Sequence, residues 1–359
     1  MARRKTILFG ALLVLAVSAG AMALEAFTPK PPAAQAAMAA FNAEAPGRGL
    51  DLYQRKVQDH AMAYALYGSA AALLGREHDA IKAADWLIQN PARAEATGWG
   101  LPFAWDAFGD GTPNPASTVY GVTTALAVRA LFDTYDLTKD VRYRDTAKAA
   151  LDYYRKFFTE THNGGYFWYS DQPQDNIDVH NISAILMGQY ARAAKHFAQE
   201  PYADIAKKTR DHLIANRRAI GNSFYWPYSV KTDRPNDLVH ASYIAQGFID
   251  YQKYSDSDAD SDGEVRYLLE FFGDQTIWEF PRHADIAPEL LQRPARAWGV
   301  GMLIHTLADA GQTKLARKAA YALRAYEAAP NVFGTTPGRT EFVPRIQAHV
   351  ALGLARLEQ

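Results

Sequence analysis

Apolar positions along this chain fall into two alternating kinds of stretch. In one kind the residues are almost continuously apolar and rich in Ala and Gly. These are HAMAYALYGSAAALL around Met62, the run from Ser117 around Val122, NISAILMGQYARAA around Ser183, HASYIAQGFIDY around Tyr243, RAWGVGMLIHTLADA around Trp298 and RIQAHVALGLARL around Ile346. A helix apolar on every side has to be buried. The other kind bears charge and places apolar residues at helical spacing, as in Tyr143, Ala147, Ala150, Leu151 and Tyr154; it recurs over 79–89, 141–158, 201–216, 263–272 and 313–327. Successive buried stretches lie 60, 61, 60, 55 and 48 residues apart. Such recurrence of helix pairs predicts a solenoid or a closed helical array. The last buried helix has no amphipathic partner after it, and residues 33–43 ahead of the first can supply one. The chain is therefore expected to be all-α, with six inner and six outer helices.

The links between helices differ by direction. From inner to outer helix they are short polar turns, such as YDLTKD at 135–140. From outer to inner helix they are long and carry aromatic residues, Asp, Arg and His. The second link holds Trp99, Trp105, Asp106 and Asp110; the third holds Trp168, Tyr169, Asp178, His180 and Asn181. The fourth holds Trp226, Tyr228, Asp237 and His240, with Tyr243 just behind it. The fifth holds Glu279, His283, Asp285, Arg293 and Arg296, and the sixth Arg339, Glu341 and Arg345. The chemistry thus collects at the end of the array formed by inner-helix N-termini, where loops on a rigid scaffold make a site. Aromatic faces can stack on sugar rings, and Arg forks can grip hydroxyl pairs or a uronate. Helix N-termini add a preference for an anionic ligand. On this reading Trp99, Trp105, Trp168, His180, Trp226, Tyr228, Tyr243, Arg293, Arg296 and Arg345 bind substrate.

Residues 1–23 combine ARRK, an apolar run over 7–17 and Ala21-Met22-Ala23, the pattern of a cleavable secretory signal peptide, with an uncleaved N-terminal anchor as the alternative. That predicts a periplasmic or secreted protein. Residues 24–46 then read as an Ala/Pro-rich tether and the first outer helix, and 47–359 as one ring domain. The chain has no Cys, so disulfides and thiol chemistry are excluded. A net charge of −1 argues against nucleic acid or an anionic membrane as partner, leaving membrane contact to the N-terminal segment if it is uncleaved. No two His stand at metal-binding spacing, and neither a metal nor a cofactor is expected. Asp258, Asp260, Asp262 and Gly263 match half of a calcium loop, but Leu269 falls where the twelfth-position Glu is needed. An acidic solvated turn is the preferred reading; calcium there would be structural and far from the cleft.

The segments GWGLPFAWD, TPNPASTVYGVTTALAVRAL, NGGYFWYSD with VHNISAIL, and Arg296-Ala-Trp-Gly resemble the (α/α)6-toroid carbohydrate-active proteins. That group includes six-hairpin glycosidases, polysaccharide lyases and glucuronyl C5-epimerases, and similar patterns occur in exopolysaccharide pathways. The resemblance implies an (α/α)6 toroid and a polysaccharide or oligosaccharide ligand. Hydrolysis would need a carboxyl pair about 5 to 9.5 Å apart, for which Asp106 with Glu341 or Asp285 is favoured. Toroidal lyases use Asn, His, Tyr, Arg and Glu in that order, and Asn181, His240, Tyr243, Arg296 and Glu341 follow it. A C5-epimerase would need a similar base and acid. A toroid without its acid/base pair would remain a glycan-binding protein. Hydrolysis is placed first, elimination or epimerisation second and binding alone third.

Overall fold

The computed structural model describes residues 31–198, 201–255 and 261–359. The signal or anchor segment, and Asp258 and Asp260 of the acidic loop, lie outside the described residues. The buried stretches are helices α2 (Ala61–Leu73), α4 (Gly121–Thr138), α6 (His180–Phe197), α8 (Leu238–Tyr254), α11 (Ala297–Asp309) and α13 (Pro344–Leu357). Each packs on the next, and α13 packs back on α2, which closes an inner ring. Small residues set the spacing between neighbours. A Cβ on Gly247 of α8 would stand 2.2 Å from the Ala184 carbonyl oxygen of α6, so only glycine permits that approach.

The amphipathic stretches form the outer layer: α1 (Ala34–Ala39), α3 (Glu77–Gln89), α5 (Val141–Tyr154), α7 (Tyr202–Asn216), α9 (Asp262–Tyr267) and α12 (Thr313–Ala322), and a single turn, α10 (Pro288–Leu291), lies within the fifth link. The buried faces of α1, α3 and α12 are mostly alanine, as with Ala80, Ala83 and Ala84 in α3. α1 closes the ring from the start of the chain: the Ala34 N–H donates to Glu358 Oε1 at 2.7 Å, and Gln347 Nε2 donates to the Ala37 carbonyl at 3.0 Å. The six inner and six outer helices expected from the periodicity form, closed as the (α/α)6 toroid that the resemblance implies. No described helix is long and apolar enough to cross a membrane.

The long links are more ordered than their loop-like composition suggests. Four contain antiparallel hairpins: β1 (Arg48–Leu50) with β2 (Val57–Asp59), β3 (Phe158–Thr161) with β4 (Gly164–Phe167), β5 (Arg218–Ile220) with β6 (Ser223–Tyr225), and β7 (Glu327–Ala329) with β8 (Val332–Phe333). Each turn contains one residue with positive φ, namely Arg55, Gly164, Gly221 and Asn331. Gly164 has a second reason to be glycine, since a Cβ there would lie 2.0 Å from the Lys208 carbonyl oxygen. Backbone hydrogen bonds also stitch neighbouring links together: Gly121 N–H to Tyr169 O, Val230 to Asp178, Leu238 to Glu279 and Ala297 to Thr335. From the second link to the sixth, the chemical end of the toroid is therefore held together by main-chain bonds.

Two tryptophans expected at the substrate surface belong to this framework. The Trp99 indole N–H donates to the Leu87 carbonyl at 2.9 Å and the Trp226 N–H to the Leu213 carbonyl at 2.8 Å; both rings are buried. Leu87 and Leu213 lie in the last turns of α3 and α7, where carbonyls lack helical partners. The two rings are repeat-equivalent caps of outer helices and do not face a ligand. Trp226→Phe is expected to lower stability by about 2–3 kcal/mol through the unsatisfied carbonyl and lost packing, read as a shift of the urea midpoint with carbohydrate binding unchanged.

Candidate active site

At the rim end of the axis the first turns of the inner helices surround a cavity of about 200 Å³. Its wall repeats with the fold: Met62 of α2, Val122 of α4, Val239 of α8 and Trp298 of α11 are each the second residue of their helix. The third and sixth repeats break the pattern, placing Asn181 and Arg345 where the others have an apolar side chain. Arg345 is buried, and its guanidinium lies 3.1 Å from Asp51 Oδ2. Asp51 is fully buried, and its other oxygen accepts the N–H groups of Tyr53 and Gln54, both at 2.7 Å. One carboxylate thus fixes both the arginine and the turn that brings Tyr53 to the mouth. Above the apolar wall stand Tyr53, Trp105, Tyr120, Tyr169 and Tyr228, with the Tyr53 and Trp105 rings 4.5 Å apart.

The polar residues facing this space form two pairs, each with one member on α8. His240 and Tyr243 are three apart on α8 and so share a face. His240 Nδ1 is 2.6 Å from Asp237 Oδ1. A carboxylate only accepts, so Nδ1 carries the proton and Nε2 is left to exchange one with a ligand. Asp237 also accepts from Arg296 Nη2 at 3.0 Å and caps α8. Burial works to raise its pKa, but His240 and Arg296 prevail and hold it down at about 2. Arg296 is held in turn by Glu279, which accepts from Arg296 Nε at 2.6 Å and from its backbone N–H at 2.8 Å. Glu279, desolvated and facing Asp237, has a raised pKa despite Arg296.

The second pair joins α8 to α13. His349 Nδ1 bonds the Arg345 carbonyl, an acceptor, so Nε2 is unprotonated and receives the hydrogen bond from the Tyr243 hydroxyl. Burial, with Arg345 adding to it, lowers the His349 pKa to about 4, and burial raises that of Tyr243. Both are neutral near pH 7, and the phenol keeps its proton. Four further polar atoms of lining residues are buried without a hydrogen-bond partner among the described residues: Tyr120 Oη, Asn181 Oδ1, Trp298 Nε1 and Arg345 Nε. Unspent donors and acceptors in an otherwise apolar cup are suited to a ligand with many hydroxyls.

Of the residues anticipated from sequence, this cavity gathers Trp105, Asn181, Tyr228, His240, Tyr243, Arg296 and Arg345. Others lie elsewhere. His180, the first residue of α6 where His240 is the third of α8, is buried with Nδ1 2.8 Å from the Pro227 carbonyl, tying the third link to the fourth. The Trp168 indole donates to Thr159 Oγ1 at 2.8 Å across its own hairpin. The Asp106 carboxylate accepts the N–H groups of Gly109 at 2.7 Å and Gly111 at 2.9 Å, organising its loop. Asp285 is exposed, and Glu341 lines a neighbouring cleft with Arg293. The three carboxylates favoured for hydrolysis are therefore not gathered at the cavity. Tyr53, Trp298 and His349 went unrecognised. The only signal for His349 was a histidine inside a buried helix, one turn after Arg345. No group of three or more His, Asp or Glu suited to a metal occurs among the described residues.

Buried neutral histidines make stability depend on pH. Burial lowers the pKa values of His60, His305 and His349 from 6.5 to about 4. Between those values the unfolded chain binds protons that the folded chain does not, so stability is lost as pH falls from 6.5 towards 4. On the order of 2–3 kcal/mol per fully buried histidine is expected. Urea midpoints across that range check this, and a flat profile would contradict it.

No family profile and no curated protein sequence matches the chain. Solved structures match its fold. A glycoside hydrolase family 76 mannosidase from Bacteroides thetaiotaomicron is 14% identical with a TM-score of 0.62, covering 90% of this chain and 97% of that one. A sugar epimerase from a ruminal bacterium is 12% identical at TM-score 0.60, covering 89% and 94%. A polysaccharide lyase is 11% identical at TM-score 0.56, covering 83% and 89%. The chain is an (α/α)6 toroid of the kind found in carbohydrate-active proteins. At these identities the likeness fixes the architecture, and the chemistry has to be read from the cavity.

Proposed function

We propose that the protein is a carbohydrate-active enzyme that cleaves a uronate-containing polysaccharide by β-elimination. The observation that carries this reading is the content of the cavity: an Asp-oriented histidine, a protonated tyrosine and two arginines, without a carboxylate pair. The uronate carboxylate would sit against Arg345, Arg296 and Asn181, whose charge and hydrogen bonds favour the enolate-like state formed when C5 loses its proton. His240 Nε2 takes that proton, and Asp237 stabilises the resulting imidazolium. Electrons of the C5–H bond become the C4–C5 double bond, and the C4–O4 bond breaks. Tyr243 turns its hydroxyl from His349 to the departing O4 and supplies its proton there, and Arg345 offsets the phenolate charge. The aromatic mouth would stack the flanking sugars. C5-epimerisation would use the same base, with the acid reprotonating C5 from the opposite face. Hydrolysis by Asp106 with Glu341 or Asp285 would require their loops to move to the cavity.

The test is incubation with neutral and uronate-containing polysaccharides, following reducing ends and ultraviolet absorbance of the unsaturated product together. Both signals should rise with a uronate polymer. Reducing ends alone would overturn elimination in favour of hydrolysis. Silence from both with a retarded polymer would reduce the protein to a glycan binder.

A further inference from the structure

Beside the cavity lies a wider cleft of about 610 Å³, and the two share Arg296. The turn at Leu52 and Tyr53 also bridges them, Tyr53 lining the cavity and Leu52 the cleft. The cleft differs in character from its neighbour. Besides Arg296 it is lined by Arg55, Arg293 and Arg339 against one carboxylate, Glu341. Arg296 is committed to Asp237 and Glu279, and Arg55 faces Glu341 across a half-open 3.6 Å pair. The Arg293 and Arg339 guanidiniums have no ion pair or side-chain hydrogen bond among the described residues. Many other arginines of the protein are matched, as with Arg192 to Asp133 and Asp136 and Arg142 to Asp140. Three arginines facing one glutamate leave an excess of positive charge over a groove that continues the cavity.

We propose that this cleft is a second, anionic subsite, taking a carboxylate-bearing sugar next along the chain from the residue in the cavity. The substrate class is then a polymer with acidic sugars at neighbouring positions, not a neutral polymer with isolated uronates. The inference rests on the reading of the cavity as a uronate site. Planar guanidinium forks match carboxylates in two-point hydrogen bonds, and charges on an open rim act over roughly 8–10 Å at moderate salt. Binding through the cleft should therefore be strongly salt-dependent, whereas contacts inside the cavity should not be. Arg293 and Arg339 are exposed, so replacing them does not disturb the core.

The experiment compares the full chain with its Arg293→Ala/Arg339→Ala variant, titrating hexamers of galacturonate, mannuronate and guluronate with cellohexaose as neutral control, at low and moderate salt. At least one acidic hexamer should bind more tightly than cellohexaose, and the variant should weaken it about 10- to 100-fold and flatten its salt dependence. If the hexamer is turned over, KM should rise by a like factor with kcat unchanged. Equal binding of acidic and neutral hexamers overturns the subsite, as does an unchanged affinity and salt slope in the variant, even where elimination is observed. Conversely, loss of affinity in the variant without any unsaturated product sustains the cleft while refuting elimination.

Discussion

Glutamine at position 240 is expected to lower kcat for uronate elimination about 10²- to 10⁴-fold, with KM little changed. The substitution removes the one ring nitrogen that faces the cavity with a lone pair, while an amide can still donate to Asp237. Binding is left to Arg296, Arg345 and the aromatic mouth, so the loss should appear in turnover and not in affinity. Initial rates of the unsaturated chromophore measure it. Tyr243→Phe should give a loss of similar size, because it leaves the His349 lone pair unused and O4 without its proton donor. The two changes together should cost less than the product of the separate effects, since base and acid act in one step. Full activity in either variant would remove that residue from the mechanism.

The largest stability effect is expected at the opposite end of the toroid, where the C-terminal halves of four inner helices meet around buried charge. Arg129 of α4 pairs with Asp250 of α8 and also donates to His305 Nε2 of α11 at 2.9 Å. Gln246 bridges Asp250 at 3.0 Å and Asp309 at 2.7 Å, and Asp309 holds Arg356 of α13 at 2.5 Å. Arg129 and Asp250 are both buried. Burial raises the Asp250 pKa in spite of Arg129 beside it, so the carboxylate depends on that partner. Arg129→Met is expected to destabilise the protein by about 3–5 kcal/mol, because it strands a charge in the interior. Adding Asp250→Leu should recover most of the loss, since two apolar side chains replace two charges. Urea unfolding of the single and double variants decides the matter. Equal destabilisation of both would show that the residues are held by packing and not by each other.

Much of this architecture is legible in the chain because it is local. Continuous Ala/Gly-rich runs can only be interior helices, and amphipathic runs between them can only cover those helices. The hairpins were hidden for a local reason too. Strands of two to four residues have too few positions to establish an alternation, so they read as loops. Repeat position also misled: Trp168 and Trp226 look equivalent in sequence, but the matching caps are Trp99 and Trp226. What the sequence determined by itself is the array of six helix pairs and the end of it that bears the chemistry. Both follow from periodicity and from the contrast between short polar and long aromatic links. Only the tertiary structure decided which polar residues meet. His240 turns to the axis while His180 bonds a neighbouring link, and Tyr243 finds His349 106 residues later. Asp237, Arg296 and Glu279 converge from two links. Those meetings depend on how far each inner helix is rotated about its own axis when the ring closes, a quantity fixed by packing between repeats and by no residue alone.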